Sequence, residues 1–506
     1  MIVPWLTLIF VVPLFGAAIV LPLRGARNRL AGLIISGLTL AMALTALLLS
    51  QSHNLAEQVL WLRRFGAWYA LQFDGLSASL VIATAVLSSA VLAIGLELDT
   101  ATDATSAPTM RPEVFTSLVL LTEALVIGAF LAADLVLFFL FFEVSLLPVY
   151  LLIGYWGGAC RAMAASRFLM FSLASGFLLF GGIVGVVTTV STVGRSSTLL
   201  SALANVEFTP GMERLLFVLF FMAFALKGPL VPLHSWLTAV VKEANPAVSA
   251  LLIGAVDALG GYAMIRFTLG LFPNAALWAA PGVLVIALIS IWYGGFAAVG
   301  ERHLVSMASY TSISHFGFIV FGIFTLTPTA INGAAMYLVA HLLSVGALVL
   351  VCGVLQQSSG VAHFGDRRGL RQRAPATAAL FLLVGLATLP LPGFLGFAAE
   401  LQVLVGAGER HPIFALFAVI GTLFATVYVT WSYQRLFTGT HKLDMSPTDA
   451  VPTVRDATTI ERSVIAVLLL LLLAFGCAPQ MLRNYIASAE PGTTAVAITN
   501  IAEGGE

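Results

Sequence analysis

Long apolar stretches alternate with short polar connections along the whole chain. A helix that crosses the hydrocarbon core of a bilayer needs about 20 mostly apolar residues. Fourteen stretches approach that length, at 3–22, 30–50, 75–97, 113–132, 135–154, 168–192, 214–237, 246–271, 277–298, 304–325, 330–356, 376–407, 412–437 and 463–482. The longest polar connections, 51–74, 98–112, 194–212, 357–375 and 438–462, leave no room for a soluble domain. The pattern predicts an all-α polytopic membrane protein with 14 transmembrane helices. The opening run "MIVPWLTLIF" has no positive charge ahead of its apolar residues, as a signal peptide would, and is read as a retained first helix.

Composition agrees and narrows the function. Of 506 residues, 59% are hydrophobic and 9% charged, against about 25% charged in a soluble domain. Lys and Arg total 24, as do Asp and Glu, so no overall basic field attracts nucleic acid. Cys160, Cys352 and Cys477 are far apart with no C-x-x-C, which argues against an iron–sulfur or zinc site. No G-x-G-x-x-G or Walker-type loop lies between a strand and a helix, so no nucleotide, cofactor or metal is expected in this chain. Basic residues set the orientation. With the N-terminus outside, 16 Lys and Arg fall in inside loops and 6 outside, leaving Lys227 and Arg266 within helices. The even number of spans then places the C-terminus outside as well.

The ionisable residues inside these spans carry the candidate chemistry. Each helical residue adds about 1.5 Å of depth. Glu123 and Glu143 each lie ten residues from position 133, in the connection between the fourth and fifth spans. Lys227 and Asp257 lie fifteen residues either side of Lys242, and His315 and His341 flank the "TLTPT" turn. All are expected near the midplane, where Asp, Lys or Arg costs roughly 2.5–3.5 kcal/mol to insert and usually faces a bundle interior, pairs and carries function. A plainer reading stands beside each. Glu143 and Lys227 as an ion pair would only fix packing, the histidines would only hydrogen-bond between helices, and His234 would only cap a broken helix end.

Helix breaks point to the same places. Gly228-Pro229 directly follows Lys227, and proline both removes a donor and clashes with the preceding turn. A similar break, "LPLPGF" at 389–394, precedes Glu400. Lys227 to Glu400 spans 173 residues and Glu143 to His315 spans 172, so one offset serves both pairs. That offset covers five helices, an odd number, which predicts two inverted repeats, helices 4–8 and 9–13, with helices 7 and 12 broken. The expected divisions are a three-helix segment at 1–112, repeats at 113–271 and 272–437, and a loop, helix 14 and tail at 438–506.

At these residues the sequence resembles a known family, the antiporter-like subunits of respiratory complex I, and within it the M-type chain (chain 4 of the mitochondrial enzyme). The motifs are "LFFLFFEVSLLPVYLLIGYWGG" around Glu143, "ALKGPLVPLHSWL" around Lys227, "ASYTSISHFGF" around His315, "YLVAHLLSVGALVLVCGVL" around His341, "LATLPLPGFLGFAAEL" ending in Glu400 and its neighbour, and "FDGLS" at 73–77. Glu400, where related L and N chains typically have lysine, and the absence of a long lateral helix after the fourteenth span favour the M type. The resemblance implies that Glu143 and Lys227 form a coupled acid–amine pair. It makes His315 and His341 a central hydrophilic axis and Glu400 the exit-side proton carrier, with Glu123, His234 and Asp257 as further candidates. It implies neighbouring antiporter-like membrane-arm subunits as partners in a bacterial inner membrane. NADH and quinone would be engaged only by other subunits, and no flavin by this chain.

The sequence departs from the family at one place that bears on the relay. The eighth helix of the family normally carries a second lysine, and counting back from "IRF" that position is Ala258, beside Asp257. The usual continuation after the seventh-helix motif is also altered, to "WLTAVVKEANP" at 236–246. Either Asp257 and water bridge the gap or the relay is interrupted. The competing functions are a subunit of a Mrp-type sodium/proton antiporter, a subunit of a membrane-bound hydrogenase-type complex, and a divergent structural paralogue that moves no protons.

Overall fold

The computed structural model describes residues 4–50, 55–95, 111–192, 197–365, 368–439 and 454–488. Arg195, Arg367 and Lys442, which enter the orientation count, lie outside them. The first helices are α1 (Trp5–Val20), α2 (Ala26–Ser50), α3 (Gly75–Ile94) and α4 (Pro112–Leu131). Next come α5 (Leu135–Val144), α6 (Leu146–Trp156), α7 (Arg161–Thr192), the single turn α8 (Leu200–Leu203), α9 (Pro210–Lys227) and α10 (Ser235–Glu243). A further helix starts as α11 (Pro246–Leu251), passes through a π-turn at Leu252–Val256, continues as α12 (Asp257–Ala263) and ends in a second π-turn, Met264–Leu269. The second half holds α13 (Pro273–Gly300), α14 (Leu304–Phe324), α15 (Pro328–Ser359), α16 (Pro375–Ala387), α17 (Leu395–Arg410), α18 (Pro412–Phe437), α19 (Thr459–Cys477) and α20 (Pro479–Ser488).

Among the described residues, 11 helices are long and apolar enough to cross a membrane. The other three expected spans are helical in shorter pieces. The stretch 3–22 forms the 16-residue α1, 214–237 is divided between α9 and α10, and 376–407 between α16 and α17. Both divisions fall where proline and glycine interrupt the apolar pattern.

The expectation of a purely helical chain is corrected at 51–74. Ala56–Leu62 (β1) pairs antiparallel with Ala67–Gln72 (β2), with Gly66 in the left-handed region at φ 64° ending the turn. The hairpin ties neighbouring helix ends together. Glu57 accepts from the backbone N–H groups of Leu6 (2.8 Å) and Thr7 (3.2 Å) in the first turn of α1, donors that a helix leaves unpaired. Asp134, N-cap of α5, accepts from Val136 and Leu137, from Trp68 of β2 and from Thr198. Periodicity read for 20-residue spans passes over a six-residue strand. The helix α20 was likewise not expected as a separate element.

Burial sorts the helices into a core and a rim. In Pro246–Leu269 and Pro328–Ser359 the most apolar window is 100% buried within the chain, against 28% in α2, α18 and α19. The rim helices expose Leu, Ile and Phe side chains such as Ile34, Phe177, Ile413 and Leu470. Apolar exposure of this kind suits lipid or a packed neighbour. Asp257 and His341 lie on these two most buried helices.

Candidate functional site

Lys227 is the last residue of α9. The chain leaves the helix at Gly228, whose N–H still bonds to Phe224 O at 2.8 Å, and re-enters a helix only at Ser235. The break is pinned rather than loose. The indole N–H of Trp236 donates to Leu226 O (3.0 Å), and the Val231 N–H donates to Ser290 Oγ on α13 (3.0 Å). Gly260 of α12 lies so close to this break that a Cβ there would stand 2.6 Å from Gly228 N, so glycine is what admits the approach. Lys227 is 2% exposed; its Nζ makes no protein hydrogen bond and lies 4.8 Å from the centre of the Phe142 ring. The charged groups that act on it through space are Glu143 and Asp257.

Glu143 is half-buried rather than enclosed, and its Oε2 is buried without a hydrogen-bond partner. The carboxylate lies directly over Gly176 of α7, where any Cβ would overlap it. Asp257 is fully buried, and neither carboxylate oxygen has a hydrogen-bond partner. Ala258, also fully buried, has no titratable group to offer.

The second cluster is built by contact. The His315 and His341 rings, on α14 and α15, lie 5.6 Å apart, and the His341 Nε2 is 3.2 Å from Ile253 O in the π-turn before Asp257. Tyr337, one turn before His341, packs its ring 5.3 Å from His315 and donates its hydroxyl to Glu400 Oε2 at 3.4 Å. His315, Tyr337, His341 and Glu400 line one narrow cleft with Thr388 and Leu389, the residues at the second helix break. That break is tightened by the Thr388 hydroxyl, which donates to Gly385 O, and by Gly393 at φ 106°. His315 Nδ1, His341 Nδ1 and Glu400 Oε1 have no protein partner. Buried polar atoms of this kind are where ordered water is expected.

The expected site residues therefore divide. Glu143, Lys227 and Asp257 form one group, and His315, His341 and Glu400 another, joined through Ile253. Glu123 stands apart. It is fully buried on α4 and accepts from Ser36 Oγ (3.0 Å), which also meets Ser89 Oγ (2.9 Å). His234 makes no capping bond and packs on Tyr293, with ring centres 4.6 Å apart, so its reading as a cap is corrected. Among the described residues no group of three His, Cys, Asp or Glu could hold a metal ion. Sequence reasoning missed Tyr337 and Gly176. Tyr337 was findable, because residues four apart on a helix share a face; Gly176 carried no local signal.

The fold defines a polytopic helical membrane protein with a line of buried titratable groups within its helices, and comparison places it more closely. Residues 132–425 match the family model described as NADH:quinone oxidoreductase/Mrp antiporter, TM, and the chain belongs to that family. It is 33% identical to NADH-quinone oxidoreductase subunit M of Mycobacterium tuberculosis, covering 97% of this chain and 94% of that one. It is 33% identical to NAD(P)H-quinone oxidoreductase chain 4 2 of Thermosynechococcus vestitus over 87% of this chain and 83% of that one. Its fold matches a chain of respiratory complex I from Thermus thermophilus with TM-score 0.85, 27% identity and coverage of 99% and 100%. The Mrp complex from Dietzia sp. DQ12-45-1b matches with TM-score 0.84 at 22% identity, covering 100% and 98%, a likeness of fold alone.

Proposed function

We propose that the chain is a proton-translocating membrane-arm subunit of a redox-driven NADH:quinone oxidoreductase in a bacterial cell membrane. The observation that carries this reading is the line of buried titratable groups from Lys227 through Asp257, His341, His315 and Tyr337 to Glu400. Intramembrane ionisable residues that serve only packing would be paired and hydrogen-bonded; these leave polar atoms open. Glu143 and Lys227 hand a proton to the interior, the two histidines carry it along the axis and Glu400 releases it. Glu123 and His234 lie off this route and serve it indirectly.

In this reading the chain crosses the membrane 14 times, with both termini outside, and helices 4–8 and 9–13 are inverted repeats whose broken members are the seventh and twelfth. The N-terminal segment 1–112 and the terminal part 438–506 flank the repeats 113–271 and 272–437. Other antiporter-like subunits cover part of the apolar rim, and NADH, quinone and redox cofactors are bound elsewhere in the assembly. The relatives named for quinone oxidoreductases favour this assembly over a Mrp antiporter or a hydrogenase-type complex. The test is NADH-driven proton uptake into vesicles carrying the intact complex. Glu143→Gln is expected to suppress pumping while assembly stays normal. Full pumping by that variant in assembled complex would leave a structural role as the surviving alternative.

A further inference from the structure

Two buried charges, Lys227 and Asp257, and the half-buried Glu143 gather around the first helix break, and they do not balance. Lys227 is the one cation acting with two carboxylates, Glu143 and Asp257. The cationic side chain on the helix that carries Asp257, Arg266, is committed elsewhere. It forms a buried ion pair with Asp74, the residue that caps α3, and reaches the Tyr262 hydroxyl. If both carboxylates were ionised, the group would carry a net negative charge with no further cation acting on it among the described residues, around a fully buried Asp257, which is unfavourable. One added proton makes it neutral.

We propose that Glu143 and Asp257 hold a single proton between them across Lys227, and that Asp257 is the residue that passes it on to the histidine cluster. The inference rests on the relay reading above. The two states are Glu143 acid with Asp257 carboxylate, and Glu143 carboxylate with Asp257 acid, and Lys227 is an ammonium in both. In the exchange, the Lys227 ammonium gives a proton to a bridging water as that water gives one of its own to an Asp257 oxygen, one N–H and one O–H bond breaking as two O–H bonds form. The amine then takes the Glu143 proton. Charge and atoms balance, because the group is neutral before and after.

The geometry suits Asp257 for the step. It starts α12 where a π-turn ends, and π-turns frequently mark functional sites in helices. Its two oxygens are buried and unpartnered, so neither is committed to structure. Gly260, one turn on, holds this helix against the backbone of the Lys227 break. Ile253, one turn before, presents its carbonyl to His341 Nε2. Asp257 thus sits between the two clusters, beside an alanine that has nothing to transfer.

Infrared difference spectroscopy of the intact complex in membranes tests the shared proton directly. Removing either carboxylate leaves one anion facing one cation, so Asp257→Asn and Glu143→Gln are each expected to abolish the same single protonated-carboxyl band. The double variant should lose nothing further. Two separate bands, lost one by one and additively, would overturn the proposal. Pumping supplies the second readout. Asp257→Asn should lower protons moved per NADH oxidised at least severalfold, and Asp257→Glu should restore most of it and keep the band. Normal pumping by assembled Asp257→Asn, alongside a defect in Glu143→Gln, would reject the role of Asp257 and leave the relay standing. Normal pumping in both would reject the relay itself. If Asp257→Asn does not assemble, Asp257→Glu decides: loss of its band overturns the proposal.

Discussion

At the first helix break Lys227 has no hydrogen bond, and its partners act across space or through the Phe142 ring. At the second, Glu400, Tyr337 and His315 are in contact, from a 3.4 Å hydrogen bond to rings 5.3 Å apart. Two forces with different reach are in use. Coulomb interaction falls only as the inverse of distance and strengthens where the dielectric is low, so the first cluster works with its members apart. A hydrogen bond weakens steeply beyond its normal distance and angle, so the second needs its members placed to tenths of an ångström. The first cluster should thus be sensitive to charge, the second to shape.

The largest expected effect tests the charge side. Lys227→Ala removes the one cation between two carboxylates and is expected to slow proton transfer by at least about 100-fold, the scale of losing a proton-transfer group, measured as NADH-driven acidification of vesicles. A smaller loss than that of Tyr337→Phe would reverse the contrast between the clusters.

Next is Gly176→Ala, whose methyl would displace the Glu143 carboxylate. The overlapped atoms are the tip of a flexible side chain, so assembly and melting temperature should hold. Pumping should fall about tenfold, since a misplacement of about 1 Å can cost up to about 100-fold. Unchanged pumping would mean the carboxylate works from more than one position.

Tyr337→Phe keeps the ring against His315 and deletes the hydroxyl on Glu400. The expected cost is about 1 kcal/mol, a roughly fivefold slower pumping rate. A Tyr337→Leu variant, which also loses the ring, should do worse if shape governs this cluster.

The smallest effect lies outside the spans, at the support of the second broken helix. Asp456 accepts from the N–H groups of Ala376 and Thr377 at the start of α16, from the Ala457 N–H and from the Thr377 hydroxyl. Desolvation pushes its carboxyl upward, and the hydrogen bonds from Thr377, Ala376 and Ala457 outweigh it, leaving the group below its ordinary value of 3.8. A depressed folded value means that this stabilisation is present above pH 3.8 and is lost as pH falls through the folded value. Asp456→Ala should therefore cost about 1 kcal/mol near neutral pH, as loss of a helix cap does, and progressively less in acid, measured by thermal unfolding in detergent.

How much could be read in advance differs between the two clusters for the same reason. Glu143, Lys227 and Asp257 stood out because a charge in an apolar run is costly wherever it points. Tyr337 did not, because tyrosine in such a run is unremarkable until its hydroxyl is seen on Glu400. Glu123 ranked beside Glu143 by depth, yet the fold sends it to Ser36 and Ser89, away from the axis. Half-exposure of Glu143 and the hairpin that ties α1 and α5 were equally out of reach.

The sequence by itself determined the apolar runs, the depth of each ionisable residue along its helix and the two points where proline and glycine interrupt hydrogen bonding. Those properties follow from local backbone chemistry and the fixed rise of a helix. Only the tertiary structure decided which face of each helix met which neighbour: Gly176 beneath Glu143, Gly260 against the Lys227 break and Ile253 beside His341. Rotation about a helix axis is settled by packing across the bundle, and in a nearly uniform apolar sequence the pattern along one helix carries little record of it.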